Sequence, residues 1–383
     1  MREGCIGNCL LCGKCGSFAI LDSFRLNKHN FEPREGYGIA LDIGTSSVVL
    51  ALVNLATGEV PARHSFMNPQ RAFGPDVISR ISAANEGKLG QLRSAVTQSI
   101  AAGVQALLES CGVNPALVRD MAVAGNTTMI YLLLGFPCGS LGVSPFMPAY
   151  TAAESYPFYE VFTSSLLSCP VRIIPWFSAF VGGDIAAGLL HVLQGGKRRF
   201  ILIDLGTNGE MALYDNGKLT ITSTAAGPAF EGGRHGGGAS GVIDDLAILL
   251  RGGFIEETGL LSDSAPATFT QKEIRELQLA KSAVRSGLEI LLEPVGYSAL
   301  DAVYLAGGIG QAMDVNSAVD IGLLPAELKS LVHAVGNASL GGAVHALITQ
   351  ENTKKLRDDL VEINLANHPK FNDYFMDYMY FEG

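Results

Sequence analysis

Short apolar runs closed by polar glycine turns organise this chain. From Gly38 to Val60 it reads GIALDIGTSSVVLALVNLATGEV: an apolar run ending in Asp42, a turn at Gly44-Thr45-Ser46-Ser47, a second apolar run, and a turn at Thr57-Gly58. Runs of this length between turn residues predict buried strands. FILIDLGTNGEMALYDNGKLT, from Phe200 to Thr220, repeats the design. One offset relates Asp42 to Asp204, Gly44 to Gly206 and Thr45 to Thr207, and Asn216-Gly217 supplies the matching turn. An internal duplication follows. A third glycine element, Gly307-Gly308-Ile309-Gly310, closes the apolar run Ala302–Ala306.

Helical spacing marks other segments. MAVAGNTTMIYLLLGFP reads as strand, turn and a helix with Met129, Leu132, Leu133 and Phe136 on one face, capped by Asn126 or Thr127. TFTQKEIRELQLAKSAVRSGLEILLE carries Ile274, Leu277 and Ala280 or Lys281 at helical spacing, with Thr270 and Glu273 placed as a capping box. Small residues at Ala179, Gly182, Gly183, Ala186 and Ala187 suit a close helix crossing between the two halves. The last residues hold five aromatics between Phe371 and Tyr380 and read as a terminal helix packed on the body.

Composition narrows the class. The 383 residues are 48% hydrophobic and 17% charged, enough for a large core, and the net charge of −10 argues against a nucleic-acid partner. The most apolar stretch, LLSCPVRIIPWFSAFVGGDIAAGLLHVL, carries Arg172 and Asp184 and is broken by prolines and glycines, so no membrane span is expected. The first residues lack the apolar core of a signal peptide and the cysteine count is odd, at seven, which points to a reducing cytoplasm. Cys111, Cys138 and Cys169 read as buried free thiols.

Four cysteines stand at the start, in CIGNCLLCGKC: Cys5, Cys9, Cys12 and Cys15, spaced C-x3-C-x2-C-x2-C. Three readings compete. Zinc sites set two ligand pairs about a dozen residues apart; a radical-enzyme cluster leaves one iron open, which Cys15 would fill; a [4Fe–4S] cluster takes such tight runs of thiolates. The cluster is favoured, although the order reverses the ferredoxin run.

The duplicated turns carry the other chemistry. Successive N–H groups of a glycine turn form a nest for phosphate oxygens, with Thr and Ser hydroxyls as further donors. A carboxylate beside such a nest makes sense if it holds Mg²⁺ or orients water. Asp42 and Asp204 are accordingly candidate catalytic and Mg²⁺-binding residues, expected to approach one triphosphate from opposite walls of a cleft. Asp184 is the candidate for positioning the attacking water, against a plainer role as a helix N-terminal charge. Candidate nucleotide contacts are Gly44, Thr45, Ser46, Ser47, Asn126, Thr127, Gly206, Thr207 and Asn208. Gly227, Pro228 and Glu231 (of TAAGPAFEGG), Lys281, Gly307, Gly308 and Gly310 complete the set. Lys281 has a plainer alternative in a solvated stripe, His235 reads as a loop residue, and Asp244 and Asp245 open a helix.

The order phosphate turn, phosphate turn, adenosine element resembles the actin, sugar kinase and Hsp70 ATPase superfamily. NPQRAFGPDVISRI, AVAGNTTMIYLLLGFP, GVSPFMPAY, FVGGDIAAGLL, IDLGTNGEMAL and TAAGPAFEGG resemble, more narrowly, the ATP-dependent reductive activators of corrinoid enzymes. The resemblance spans Tyr37 to Ala346. It implies an α/β, duplicated actin-like (ribonuclease H-like) ATPase fold with a nucleotide cleft between two halves. The division expected is a cysteine leader at 1–35, halves at 36–190 and 191–346, and a helical tail at 347–383. It also implies an ATP-hydrolysing activase that reduces Co(II) corrinoid to Co(I). A corrinoid protein is the expected partner, an unidentified low-potential protein the electron donor, and a homodimer is expected by analogy. Better-known members of that family carry a sizeable ferredoxin-like domain; here residues 1–35 precede the expected ATPase body, with the four cysteines inside them. The rivals are a small-molecule kinase with a zinc leader and a non-redox assembly factor.

Overall fold

The computed structural model describes residues 31–152, 155–231, 241–266, 268–351 and 353–381, so the four-cysteine leader lies outside the described residues. The described residues divide into two compact units: one takes those up to Gly195 together with Asn337–Arg357, the other Gly196–Gly336 and those from Asp358. The first boundary falls five residues beyond the expected one, and the segment Asn337–Arg357 joins the first unit. The helices that bear on function are α1 (Val77–Ala83), α2 (Leu89–Cys111), α3 (Thr127–Leu134), α4 (Gly183–Leu193), α5 (Gln271–Leu292), α6 (Gly307–Ala312), α7 (Ala338–Thr349) and α8 (Phe371–Asp377).

The first unit is built on β1 (Tyr37–Ile43), β2 (Ser47–Asn54), β3 (Ala62–Met67), β4 (Val118–Gly125), β5 (Ser155–Pro157) and β6 (Pro170–Ile173), in the order β3-β2-β1-β4-β6-β5. β1 runs antiparallel to β2 and parallel to β4. Its alternate residues Ile39, Leu41 and Ile43 join one buried cluster with Leu92, Val96, Ile100 and Val104 of α2 and Met129–Leu133 of α3. On the other face Gly38 meets Leu347 of α7. Burial of that much apolar surface, at about 25 cal/mol per Å², is what holds helices to both faces of a strand whose one charged residue is Asp42.

Helices α4 and α7 touch backbone to backbone. A β-carbon at Gly342 would fall 1.8 Å from the Ala187 carbonyl oxygen, and one at Gly341 would fall 2.7 Å from His191 Nδ1. The small residues around Ala187 therefore serve a close crossing, but it lies inside the first unit and not, as expected, between the two halves. Their partner is α7, which the chain reaches only after traversing the other unit.

The second unit holds β7 (Arg199–Leu205), β8 (Gly209–Asp215), β9 (Lys218–Thr224), β10 (Ala302–Ala306), β11 (Val332–Gly336) and β12 (Leu360–Glu362), ordered β11-β10-β7-β8-β9-β12. Its central order and strand directions repeat those of the first sheet: β7 is antiparallel to β8 and parallel to β10. The duplication is thus structural, with β5 and β12 as separate edge additions. Asn216 and Gly217, both with positive φ (51° and 102°), close the two-residue hairpin between β8 and β9.

Helix α5 begins at the expected capping box: Thr270 Oγ1 accepts from the Glu273 N–H at 3.3 Å, and Glu273 Oε2 accepts from the Thr270 N–H at 2.8 Å. The terminal helix packs on α5, as expected of the aromatic tail, and α5 grips it by the backbone. Gln278 Nε2 donates to the Met379 carbonyl at 2.8 Å, Ser282 Oγ to that of Phe375, and Lys281 Nζ to that of Tyr380, with the Arg285 guanidinium 4.5 Å over the Tyr378 ring. No helix among the described residues is long and apolar enough to cross a membrane. Cys138 and Cys169 are buried free thiols and Cys111 is half-buried.

Candidate functional site

In the first unit β1 delivers Asp42 to the sheet's C-terminal edge, and the turn that follows is closed by Gly44 N–H to the Ser47 carbonyl at 2.9 Å. A side chain at Gly44 would press on that carbonyl, its β-carbon 2.9 Å from the oxygen. Glycine is required there by the tightness of the turn. Beside it β4 ends at Gly125, and Asn126 caps α3 by accepting from the Met129 N–H at 2.9 Å. The same side chain donates from Nδ2 to Thr45 Oγ1 at 3.1 Å. One amide thus both caps α3 and holds the Thr45 hydroxyl. Thr127 is different. It is buried and spends its hydroxyl on the Ser178 carbonyl at 2.6 Å, so it is a strut beneath the site and not a ligand contact.

Asp184 reaches the same pocket through two glycines. A β-carbon at Gly182 would meet Asn126 Cα at 2.5 Å, and one at Gly183 the Ile174 carbonyl oxygen at 2.4 Å, so only glycines let α4 start this close to the β4–α3 junction. Both Asp42 and Asp184 keep some solvent contact but are enclosed by protein on most sides. Burial pushes the Asp184 carboxyl up to about 6, with the charge of Asp42 adding to the rise and the Ile185 N–H opposing it. Burial also raises Asp42, opposed by hydrogen bonds from Ser339 and Asn337.

Those last two residues escaped the sequence reading. Ser339 Oγ donates to Asp42 Oδ1 and Asn337 Nδ2 to Oδ2, each at 2.7 Å. Asn337 is at once the cap of α7, accepting from the Leu340 N–H at 2.7 Å. A signal was available: Gly125-Asn126-Thr127-Thr128 and Gly336-Asn337-Ala338-Ser339 are two copies of strand, glycine, capping asparagine, helix. In both, the asparagine amide turns back to the first phosphate turn.

In the second unit Asp204 stands opposite Glu210 on β8 and Ala306 on β10. The turn after it is one residue shorter than its counterpart: Leu205 pairs with Gly209, where Ile43 pairs with Val48. Gly206 N–H bonds the Asn208 carbonyl at 2.9 Å. Gly307 starts α6 with φ 78°, and a β-carbon on it would lie 2.4 Å from Asp204 Oδ1. The second Asp-Gly-Thr turn and the third glycine element therefore meet within one unit. Gly308 is exposed beside them, but Gly310 is buried against Leu305 and packs α6 onto β10. Gly310 is corrected from contact residue to packing residue.

Lys281 is corrected too: it is fully buried, its ammonium bonded to the Tyr380 carbonyl and 5.3 Å from the Phe381 ring centroid, so it is neither solvated nor free for a nucleotide base. Gly227 has φ 72° just before the turn at Pro228–Glu231. The Pro228 and Glu231 side chains lie outside the described residues, as does His235. Asp244 stands in the first turn of the helix Gly241–Arg251, as expected.

A duplicated sheet with an acid-and-glycine turn in each copy is the arrangement of the actin-like ATPases, the ASKHA class. The model of the RACo middle region matches residues 37–193, and that of the C-terminal domain of RACo, the ASKHA domain, matches 198–249 and 260–383. The corrinoid activation enzyme RamQ of Eubacterium limosum is 31% identical, over 89% of this chain and 69% of that protein. The [Co(II) methylated amine-specific corrinoid protein] reductase of Methanosarcina barkeri is 23% identical, over 89% of this chain and 76% of its own. A solved structure of a reductive activator for corrinoid, iron–sulfur protein superposes with a TM-score of 0.80 at 29% identity, covering 91% of this chain and 67% of that one. The chain belongs to the RACo family, the reductive activators of corrinoid proteins.

Proposed function

We propose that this chain hydrolyses ATP to drive one-electron reduction of an inactive Co(II) corrinoid to Co(I) on a partner corrinoid protein. The observation that carries the ATPase part is the recessed carboxylate pair Asp42 and Asp184 at the end of a phosphate-type turn, braced by Asn337 and Ser339. Among the described residues neither acid is ion-paired; what acts on them is burial, neutral donors and each other. Two desolvated acids repelling one another favour a divalent cation between them and a phosphate. The donor set fits Mg²⁺, which takes one or two carboxylates and fills its shell with water and phosphate oxygens. Asp42 would hold that ion; bound there, it would neutralise charge on the transferring phosphoryl group.

The remaining roles belong to the protein. The Thr45 and Ser46 amides and hydroxyls orient phosphate oxygens, as do Gly206, Thr207 and Asn208 in the second copy. Asp184, with a carboxyl near 6, orients the attacking water and can take its proton. Gly307 and Gly308 give a flat ribose and base room against backbone. Asn337 and Ser339 hold the Asp42 carboxylate in one rotamer.

The electron route rests on the leader. Cys5, Cys9, Cys12 and Cys15 would hold a [4Fe–4S] cluster, which would supply a one-electron relay between a low-potential donor and the corrinoid. The energetic need is plain, since each ~59 mV uphill costs about a factor of ten for one electron. Family membership favours this reading over a small-molecule kinase with structural zinc. We place the protein in the cytoplasm, as a soluble protein, and expect a homodimer. Anaerobic purification with iron and zinc counted, followed by reduction of a Co(II) corrinoid protein with and without ATP, tests it. Iron-free protein that still binds ATP removes the relay and leaves the ATPase; iron-loaded protein that reduces equally well without ATP removes the coupling.

A further inference from the structure

The first phosphate turn is gripped from behind by a segment to which the proposed function assigns nothing. The Gly44 carbonyl accepts from Asn68 Nδ2 at 2.8 Å, that of Thr45 from Arg80 Nη2 at 2.7 Å, and that of Ser46 from the Asn68 N–H at 3.0 Å. Three successive carbonyls are thus held by two residues, Asn68 and Arg80, that are 1% and 0% exposed. A trans peptide points its C=O and N–H in opposite directions. Pulling the Gly44 and Thr45 carbonyls toward the interior turns the N–H groups of Thr45 and Ser46 the other way. The nest is made by what stands behind it.

Arg80 is a costly choice for that task. Its other bonds run to the Gly74 carbonyl at 3.0 Å and Met129 Sδ at 3.2 Å, so every acceptor it uses is neutral. Two charged residues bear on it in opposite senses, Arg71 and Asp76, and burial brings it down to about 10, still a cation at neutral pH. An enclosed guanidinium without a carboxylate bonded to it is expensive to desolvate. A neutral amide would hold the Thr45 carbonyl without that cost, as Asn68 holds its neighbour. What the guanidinium adds is positive potential directly behind the turn, in a medium where charges are weakly screened.

We propose that Arg80, with Asn68, is a positioning residue for the nucleotide's phosphates: it fixes the amide face of the Thr45–Ser46 turn and places behind it a positive charge with no carboxylate bonded to it. The proposal rests on reading this turn as a phosphate site. Arg80 touches no ligand; it acts through the Thr45 peptide. Its effect is therefore specific to the phosphates, since a nucleoside feels neither the nest nor the charge.

The test measures MgATP and adenosine affinity on the full chain, for wild type, Arg80→Met and Arg80→Lys, with thermal melts alongside. Arg80→Met is expected to weaken MgATP by about tenfold or more, the scale of one charge-assisted hydrogen bond, and to leave adenosine unchanged; Arg80→Lys recovers part of the loss. Equal losses for MgATP and adenosine, or unchanged MgATP affinity in a folded Arg80→Met, overturn the proposal. Should Arg80→Met not fold, Arg80→Lys and Asn68→Ser decide by the same ratio of MgATP to adenosine affinity. A wild-type chain that binds no MgATP sinks the phosphate reading itself, before any variant is made.

Discussion

The two Asp-Gly-Thr turns share a plan and differ in how they are held. In the first unit the acid is braced by two neutral donors, Asn337 and Ser339, and the turn behind it by Asn68, Arg80 and Asn126. In the second unit the turn is a residue shorter, and the backbone of Gly307 lies close against Asp204. Duplication kept the strands, whose pairing fixes where each acid emerges, and left the turns to diverge. The first copy became a shaped polar wall; the second became a place where chain passes very close to chain.

The largest effect that would sharpen this contrast is chemical. Asp42→Asn is expected to lower ATP turnover by at least about a hundredfold, because the amide neither ligates Mg²⁺ well nor carries charge. Steady-state ATPase assays over a Mg²⁺ titration check it, and near-normal turnover would remove Asp42 from the site.

Next comes Gly307→Ala. The added carbon must sit 2.4 Å from Asp204 Oδ1 at a φ of 78°, so a loss of about 1–3 kcal/mol in stability is expected. Gly206→Ala is the control: the nearest atom to its β-carbon is 3.8 Å away, and the change is expected to stay within about 0.5 kcal/mol. Denaturant melts compare the two, and equal costs would break the claim that close approach defines the second turn.

Asp184→Asn should separate stability from activity. Its folded-state pKa of about 6 lies above an unfolded value of about 4, so between those pH values the folded chain holds a proton that the unfolded chain has lost. Wild-type stability therefore falls as pH rises through that window, and the uncharged amide avoids the fall. Without nucleotide or Mg²⁺, the variant is expected to gain about 1–2 kcal/mol at pH 7, discounted for the partial solvent contact of the pocket, and to gain nothing below about pH 4. Thermal melts across pH read this directly. A variant less stable than wild type at pH 7 would show that the pocket does not strain Asp184.

The smallest expected effect is on metal affinity. Ser339→Ala removes one brace from Asp42 and should raise the Mg²⁺ concentration for half-maximal ATPase several-fold, with turnover at saturating Mg²⁺ little changed. An unchanged Mg²⁺ requirement would mean that Asn337 alone orients the acid.

Local features could be read before the fold was known. Strand, acid, glycine and threonine sit within a few residues of one another in each copy, and the capping box at Thr270 and Glu273 spans a single turn. The cap at Asn126 is equally local. Lys281 misled because helical spacing shows which residues share a face but not what covers that face; here it is the tail, nearly a hundred residues later. Asn337 and Ser339 stand almost three hundred residues from Asp42, and no periodicity links them to it. Arg80 offered no local sign either, since a lone arginine on a short helix ordinarily means solvent. Its burial follows from how the chain after β3 folds back beneath the turn.

The return of α7 to the first unit has a consequence for biosynthesis. When the ribosome has completed β6 and α4, the face of β1 that includes Gly38 and the groove along Ala187 still lack their cover, because the residues that fill them are encoded after β11. The first unit must wait, with apolar surface bare, while β7 to β11 of the second sheet are translated. Only then does Gly341-Gly342 arrive to close it, and the same stretch brings Asn337 and Ser339 to Asp42. A nascent chain stalled before that point has its acid but not the donors that aim it.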